Sequence, residues 1–242
     1  MTIATPRLNR LPAAESGITI GDFLVPIRLG ERLSSRARHV VLIVAGALFI
    51  ALCAQLTVVQ TGQTIPLIAD LRIQLANTPV PITGQTFAVL LVGGALGARR
   101  GVLSVALYLM LGLFLPFYAS GTQGIGRYVS VDAGHIVLGT TGGYLIGFVL
   151  AAAVTGRLAE LGWDRHTAGA IAAMFIGNVV IYLVGVPWLA LALSTASVAN
   201  PLDKAVALGL TPFVIVDLAK LVLAALLFPT AWWIVGRRPG ER

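Results

Sequence analysis

Hydrophobic residues come along this chain in long, nearly unbroken runs rather than in the two-residue or 3.6-residue rhythm of half-buried strands and helices. Six runs stand out, at about 40 to 60, 84 to 98, 101 to 119, 138 to 157, 167 to 192 and 211 to 235. Runs this apolar predict helices that cross or enter a bilayer. The second is short: about 15 residues rise roughly 22 Å as a helix against a hydrocarbon core of about 30 Å, so it is predicted to begin within the protein. The stretch Thr61 to Thr83 before it carries Pro66, Pro79, Pro81 and the alternating run LRIQL. It reads as extended backbone folded back over the bundle, which membrane depth tolerates only under cover of protein or water. The pattern predicts an all-α integral membrane protein, a six-transmembrane-helix bundle with a short second helix, over residues 39–236. An N-terminal tail, 1–38, partly disordered or lying on the membrane surface, and a basic C-terminal tail, 237–242, flank it.

Composition agrees: 57% of the 242 residues are hydrophobic and 11% charged, with a mean hydropathy of +0.89, which excludes an ordinary soluble domain. The net charge of +7 is explained by topology. With both termini in the cytoplasm, thirteen basic residues fall on the inner flanks and three, Arg72, Arg127 and Lys204, in outer loops. That asymmetry predicts cytoplasmic N- and C-termini and removes the reason to invoke nucleic acid. The single cysteine, Cys53, excludes a disulfide framework within the chain. Leu52 before it lacks the small side chain of a lipoprotein signal, and Val40 to Val59 is too long for a signal-peptide core, so the first run is an uncleaved span.

Against this background two charges are conspicuous. Asp217 and Lys220 lie inside the last run, where translocon-type scales put each at a cost of about 2.5 to 3.5 kcal/mol. Their i, i+3 spacing places them on one helix face as a neighbouring acceptor and donor. They are either a ligand-binding pair or a salt bridge that fixes helix packing. Counted from the outer ends of the runs, Asp217 is about 9 Å deep, Lys220 about 14 Å, Tyr144 about 9 Å and Tyr182 about 15 Å, so the four can share a pocket. Gln85 and Thr141 lie nearer the mouth. Asn178, about 21 Å deep, is assigned to an interhelical hydrogen bond. Gly139, Gly143 and Gly147, with Gly93 and Gly97, recur at four-residue spacing that lets backbones approach in lipid. Ala47, Ala51 and Ala54 form a small-residue face on the first helix, for internal packing or for docking another membrane protein.

Catalytic and metal chemistry find little support. No GxxxxGK or HExxH motif occurs, and Asp132 with His135 is a weak metal pair in a glycine-rich outer loop. The chain is predicted to be neither an enzyme nor a holder of a metal or resident cofactor. The residues alone leave three other roles open: a proton-coupled secondary carrier of a small carboxylate or vitamin, an integral-membrane enzyme using Asp217, and a purely structural subunit.

Four stretches narrow the choice. VPITGQTFAVLLVGGALGARRGVLSVALYLMLG (Val80 to Gly112), TGGYLIGF (Thr141 to Phe148), NVVIYLVGVPWLAL (Asn178 to Leu191) and GLTPFVIVDLAK (Gly209 to Lys220) resemble the BioY family, the biotin-specific substrate-binding (S) components of energy-coupling factor (ECF) transporters. The resemblance covers about residues 45 to 231. It implies a multi-pass protein of a prokaryotic cytoplasmic membrane that takes biotin from outside. Its partners would be a transmembrane coupling subunit and two ATPase subunits, which use the ATP, and Ala47, Ala51 and Ala54 would be the docking face. In the site, Asp217 would accept the ureido N–H groups and Lys220 would donate to the ureido oxygen, while Tyr144 and Tyr182 close on the rings. Gln85, Thr141 and Arg127 would hold the valerate carboxylate near the mouth. The chain departs from the family pattern at Thr140, where GPTGGY becomes GTTGGY, and at Val216, where a glycine often precedes the aspartate. Loss of the proline is expected to loosen entry into the fourth helix.

Overall fold

The computed structural model describes residues 19–24, 35–59, 64–66, 72–74, 78–132 and 134–236. The rest of the two tails and most of 60–77 lie outside the described residues, and with them most of what the sequence predicts for the N-terminal and C-terminal tails. A long helix, α1 (Ser35–Gln55), opens the bundle. Strand β1 (Thr57–Val59) follows, then β2 (Thr64–Pro66), β3 (Arg72–Gln74) and β4 (Ile82–Thr83), with β1 antiparallel to β4 and β2 to β3. The two short helices α2 (Gln85–Leu96) and α3 (Ala98–Gly112) come next. A loop with two 3-10 turns leads to the hairpin of β5 (Val129–Asp132) and β6 (His135–Leu138). The chain ends in α4 (Gly142–Glu160), α5 (Thr167–Thr195), a nine-residue helix α6 (Pro201–Gly209) and α7 (Thr211–Gly236).

Four helical stretches, 36–55, 142–160, 167–195 and 201–234, are long and apolar enough to span a membrane. The protein is therefore a mostly helical membrane protein. The short second helix is present, and the third is short too, with 12 and 15 residues respectively. The run predicted at 101 to 119 starts at Ala98 and stops at Gly112, because Pro116 has no N–H to continue the ladder and disfavours helix in the residue before it. The run predicted from 138 begins as helix only at Gly142, because the β-branched residues on either side of Gly134 (φ +83°) form the hairpin instead. The all-α expectation is corrected to that extent.

Glycines decide how the helices meet. A Cβ on Gly143 would lie 2.2 Å from Trp188 Cβ, and one on Gly147 would lie 3.1 Å from the Ile181 backbone, so α4 and α5 touch nearly backbone to backbone. Gly93 does the same for α2 against Ala152 and Thr155 of α4. These are the internal packing contacts that the four-residue repeats predicted. Gly97 turns the chain between α2 and α3 with φ +82° and ψ 170°, a conformation that side chains exclude.

Helix α1 lies across α3 and α2, with Gly46 against Ser104 and Val92. The alanine face named for docking a partner lies on the inner side of α1 in this chain. Ala47, Ala51 and Ala54 are 1%, 6% and 0% exposed, so they hold α1 on the bundle, and its outer side is made instead of Val44, Leu48 and Leu52. Asn178 is also corrected in part: its Oδ1 is buried without a hydrogen-bond partner among the described residues.

At the end of the bundle that holds Gly97, the helical turn Gly21–Leu24 is strapped across α2 and α3. Asp22 pairs with Arg100 at 2.7 Å, and Arg100 Nε donates to His39 Nδ1 at 2.9 Å. Phe23 meets Trp232 edge to face, and Trp232 donates to Asp164 at 2.7 Å. Both short helices and the far end of α7 are thereby fastened at one end, while the opposite end opens into a cavity.

Candidate functional site

The cavity encloses about 550 Å³ of empty space, a figure that takes in the open solvent at its mouth. It sits between α2, α4, α5 and α7 and is roofed by the loop after α3. Its lining includes Gln85, Thr86, Arg127, Thr141, Tyr144, Tyr182 and Lys220. Six of the seven ligand-binding residues named from the sequence therefore reach it directly.

The seventh, Asp217, stands behind this wall. It is 5% exposed and Lys220 is 8% exposed. Lys220 Nζ donates to Asp217 Oδ1 at 2.9 Å, and the Tyr182 hydroxyl donates to Oδ2. Lys220 Nζ also donates to Thr86 Oγ1 across the α2–α7 contact. One helical turn of α7 thus presents an ammonium to the cavity and holds its counter-charge one layer deeper. Both carboxylate oxygens are engaged, but each retains a further lone pair for a ligand donor.

Tyr144 and Tyr182 meet edge to face, with ring centroids 6.4 Å apart and planes at 85°. The Tyr144 hydroxyl donates to Gly209 O at 2.9 Å, so it offers the cavity its ring rather than its donor. Room for that ring comes from Gly185 and Gly209, where a Cβ would lie 2.5 and 2.3 Å from Tyr144. Gln85, at the first turn of α2, accepts from Thr83 Oγ1 at 2.8 Å and donates to the Tyr108 hydroxyl. Its carboxamide is oriented from below, and one amide hydrogen remains.

Nearer the mouth, Thr141 Oγ1 donates to Arg127 O at 3.5 Å. The Arg127 loop is fixed by stacked tyrosines: Tyr118 lies edge to face with both Tyr108 and Tyr128, and its hydroxyl donates to Leu109 O at 2.7 Å. Thr140, which replaces the proline of the family pattern, donates to Pro79 O at 3.0 Å. Entry into α4 is tethered by a bond that proline has no donor to make.

The residues that sequence reasoning missed are Thr86 and Tyr118. Thr86 follows Gln85 directly, and its role is set by the rotation of α2, which no local pattern encodes. Tyr118 lay in a run assigned to helix. Among the described residues, no group of three or more His, Cys, Asp or Glu side chains gathers to hold a metal ion.

A family model described as the BioY family matches residues 30–237. Among similar curated proteins, "Biotin transporter BioY" of Thermotoga maritima is 39% identical over 150 residues, covering 62% of this chain and 79% of the relative. "Probable biotin transporter BioY" of Pyrococcus horikoshii is 34% identical over 157 residues, covering 64% and 83%. "Biotin transporter BioY" of Rhizobium etli is 34% identical over 163 residues, covering 64% and 79%. Among solved structures, the "S-component for biotin from an ECF-type ABC transporter" superposes with a TM-score of 0.61 at 20% identity, over 85% of this chain and 96% of that one. That likeness concerns the fold. With the family model spanning most of the chain, from α1 to the end of α7, the chain belongs to the BioY family.

Proposed function

We propose that the chain binds biotin in this cavity from the outer side of the cytoplasmic membrane and serves its uptake as the substrate-specific component of an ECF-type transporter. The observation that carries the proposal is the buried Asp217–Lys220 pair at the cavity wall. A ureido ring has two N–H donors flanking one carbonyl acceptor. Lys220 donates to the carbonyl and Asp217 accepts an N–H on a lone pair that Lys220 and the Tyr182 hydroxyl leave free. Tyr144 and Tyr182 bound the fused rings, and the apolar wall of Leu145, Phe148 and Phe213 fits the thioether and chain. Arg127, Thr141 and the remaining amide hydrogen of Gln85 receive the carboxylate toward the mouth. Relatives named as biotin transporters support this ligand.

In this proposal all six helices α1 to α5 and α7 lie across the membrane, with both termini in the cytoplasm, as the basic-residue asymmetry indicates. The chain contributes binding and no catalysis. ATP is consumed by two ATPase subunits joined through a transmembrane coupling subunit. The proton-coupled alternative is weakened because Asp217 is already held by Lys220 and Tyr182.

The test is biotin binding by the purified chain in detergent, with Asp217→Asn and Lys220→Met alongside. One-to-one binding that both substitutions abolish while the fold persists is the expected result. A folded wild-type chain that fails to bind, or variants that bind unchanged, would overturn it.

A further inference from the structure

The β5–β6 hairpin beside the cavity mouth has two unlike faces. Register pairs Val129 with Leu138, Ser130 with Val137 and Val131 with Ile136. Directly opposed residues share a face and successive residues alternate. Val129, Val131, Ile136 and Leu138 therefore line one face without a polar residue, while Ser130, Val137 and His135 point to the other. The apolar face is not spent on the bundle. Val131 and Ile136 are 73% and 70% exposed, although Val129 and Leu138 at the hairpin base are partly covered.

We infer that this face is a membrane-interface anchor, seated on the lipid at the boundary between acyl chains and headgroups on the cavity-mouth side. Helix lengths put the hairpin there. Helix α3 begins at Ala98, next to the exposed Arg99, and has 15 residues. It rises about 22 Å and ends several ångströms short of the far boundary of a hydrocarbon core of about 30 Å. The loop and hairpin that follow start within the bilayer. The outward row of α3, Leu103 and Met110, continues past its end into Phe114, which is 75% exposed. The hairpin's apolar face extends this lipid-facing surface. A two-stranded sheet has unpaired edge groups that hydrocarbon would not satisfy and hydrated headgroups do, so the seat is the interface rather than the core.

The anchor bears on the site because the hairpin base clamps the Arg127 loop. Gly139 N donates to Tyr128 O at 2.9 Å, and a Cβ on Gly139 would lie 2.2 Å from Arg127 O. Lipid contact thereby holds the roof that carries Arg127 over the cavity. The inference rests on the chain spanning the membrane with the cavity mouth at one surface, as in the proposed function. It does not depend on which ligand binds.

Single cysteines at positions 130, 131, 135 and 136 in a Cys53→Ser background, spin-labelled in liposomes, test it by collision with oxygen and with a water-soluble nickel complex. Leu183→Cys on α5 is the lipid-facing reference, and thermal unfolding of each variant is matched to the parent. The expected result is alternation: 131 and 136 accessible to oxygen, as Leu183→Cys is, and 130 and 135 accessible to nickel. Four positions equally open to nickel would overturn the anchor. Positions 131 and 136 shielded from both reagents would also overturn it, because a protein rather than lipid would then cover the face. Biotin binding measured on the same samples reports on the ligand site separately.

Discussion

At the scale of single residues, Asp217 is held on one oxygen by Lys220 and on the other by Tyr182. Lys220→Met leaves a buried carboxylate with one partner gone. Breaking a buried pair from one side costs about 3–5 kcal/mol, whereas removing both charges is far milder. Thermal unfolding is therefore expected to show a larger loss for Lys220→Met than for the double variant Asp217→Asn/Lys220→Met, although both lose biotin. Tyr182→Phe deletes one charge-assisted donor. About 1.5 kcal/mol, roughly tenfold in Kd, is the weakening expected by calorimetry, because the hydroxyl orients the carboxylate for the ligand.

At the scale of elements, contacts without side chains set the helix spacing. Gly143→Val would place a branched side chain where Trp188 and the Val184 carbonyl already stand, at 2.2 to 3.0 Å from its Cβ. Overpacking of this kind costs about 1–3 kcal/mol, so a lowered unfolding temperature is expected, with weaker binding because Tyr144 rides on the same turn. At the other end, burial pushes the Asp22 carboxyl up, but the Thr19 N–H and the Arg100 guanidinium outweigh it and hold the group below 3.8. A depressed carboxyl stabilises the fold above its unfolded value, and that contribution is lost as pH falls through the folded one. Asp22→Asn is expected to flatten the acid limb of stability against pH below about 4, while binding at neutral pH stays unchanged.

At the scale of the whole molecule, a bundle closed at one end by the Gly21–Leu24 strap and open at the other presents its cavity to one side of the membrane. Labelling of single cysteines near either terminus is expected only from the cytoplasmic side; labelling from outside would reverse the proposed topology. The burial of Ala51 changes what a substitution there reports. Ala51→Trp is expected to lower the stability of the isolated chain by about 1–3 kcal/mol, so a loss of assembly with partners would follow from the altered bundle. If the purified variant unfolds at the parent's temperature, the packing role is wrong.

The sequence by itself determined that the chain is a mostly helical membrane protein, that Asp217 and Lys220 share a helix face, and that the glycine repeats are contacts. Each of these depends on the transfer energy or spacing of residues close together in the chain. Only the tertiary structure decided that Tyr182 reaches Asp217, that Gln85 is steadied by Tyr108, that Thr86 meets Lys220, that the alanines of α1 face inward and that residues 129–138 pair as strands. Helices apolar on all sides have no amphipathic stripe to say which side turns inward. Their rotation is settled by close packing between distant segments, and with it the identity of every partner in the site.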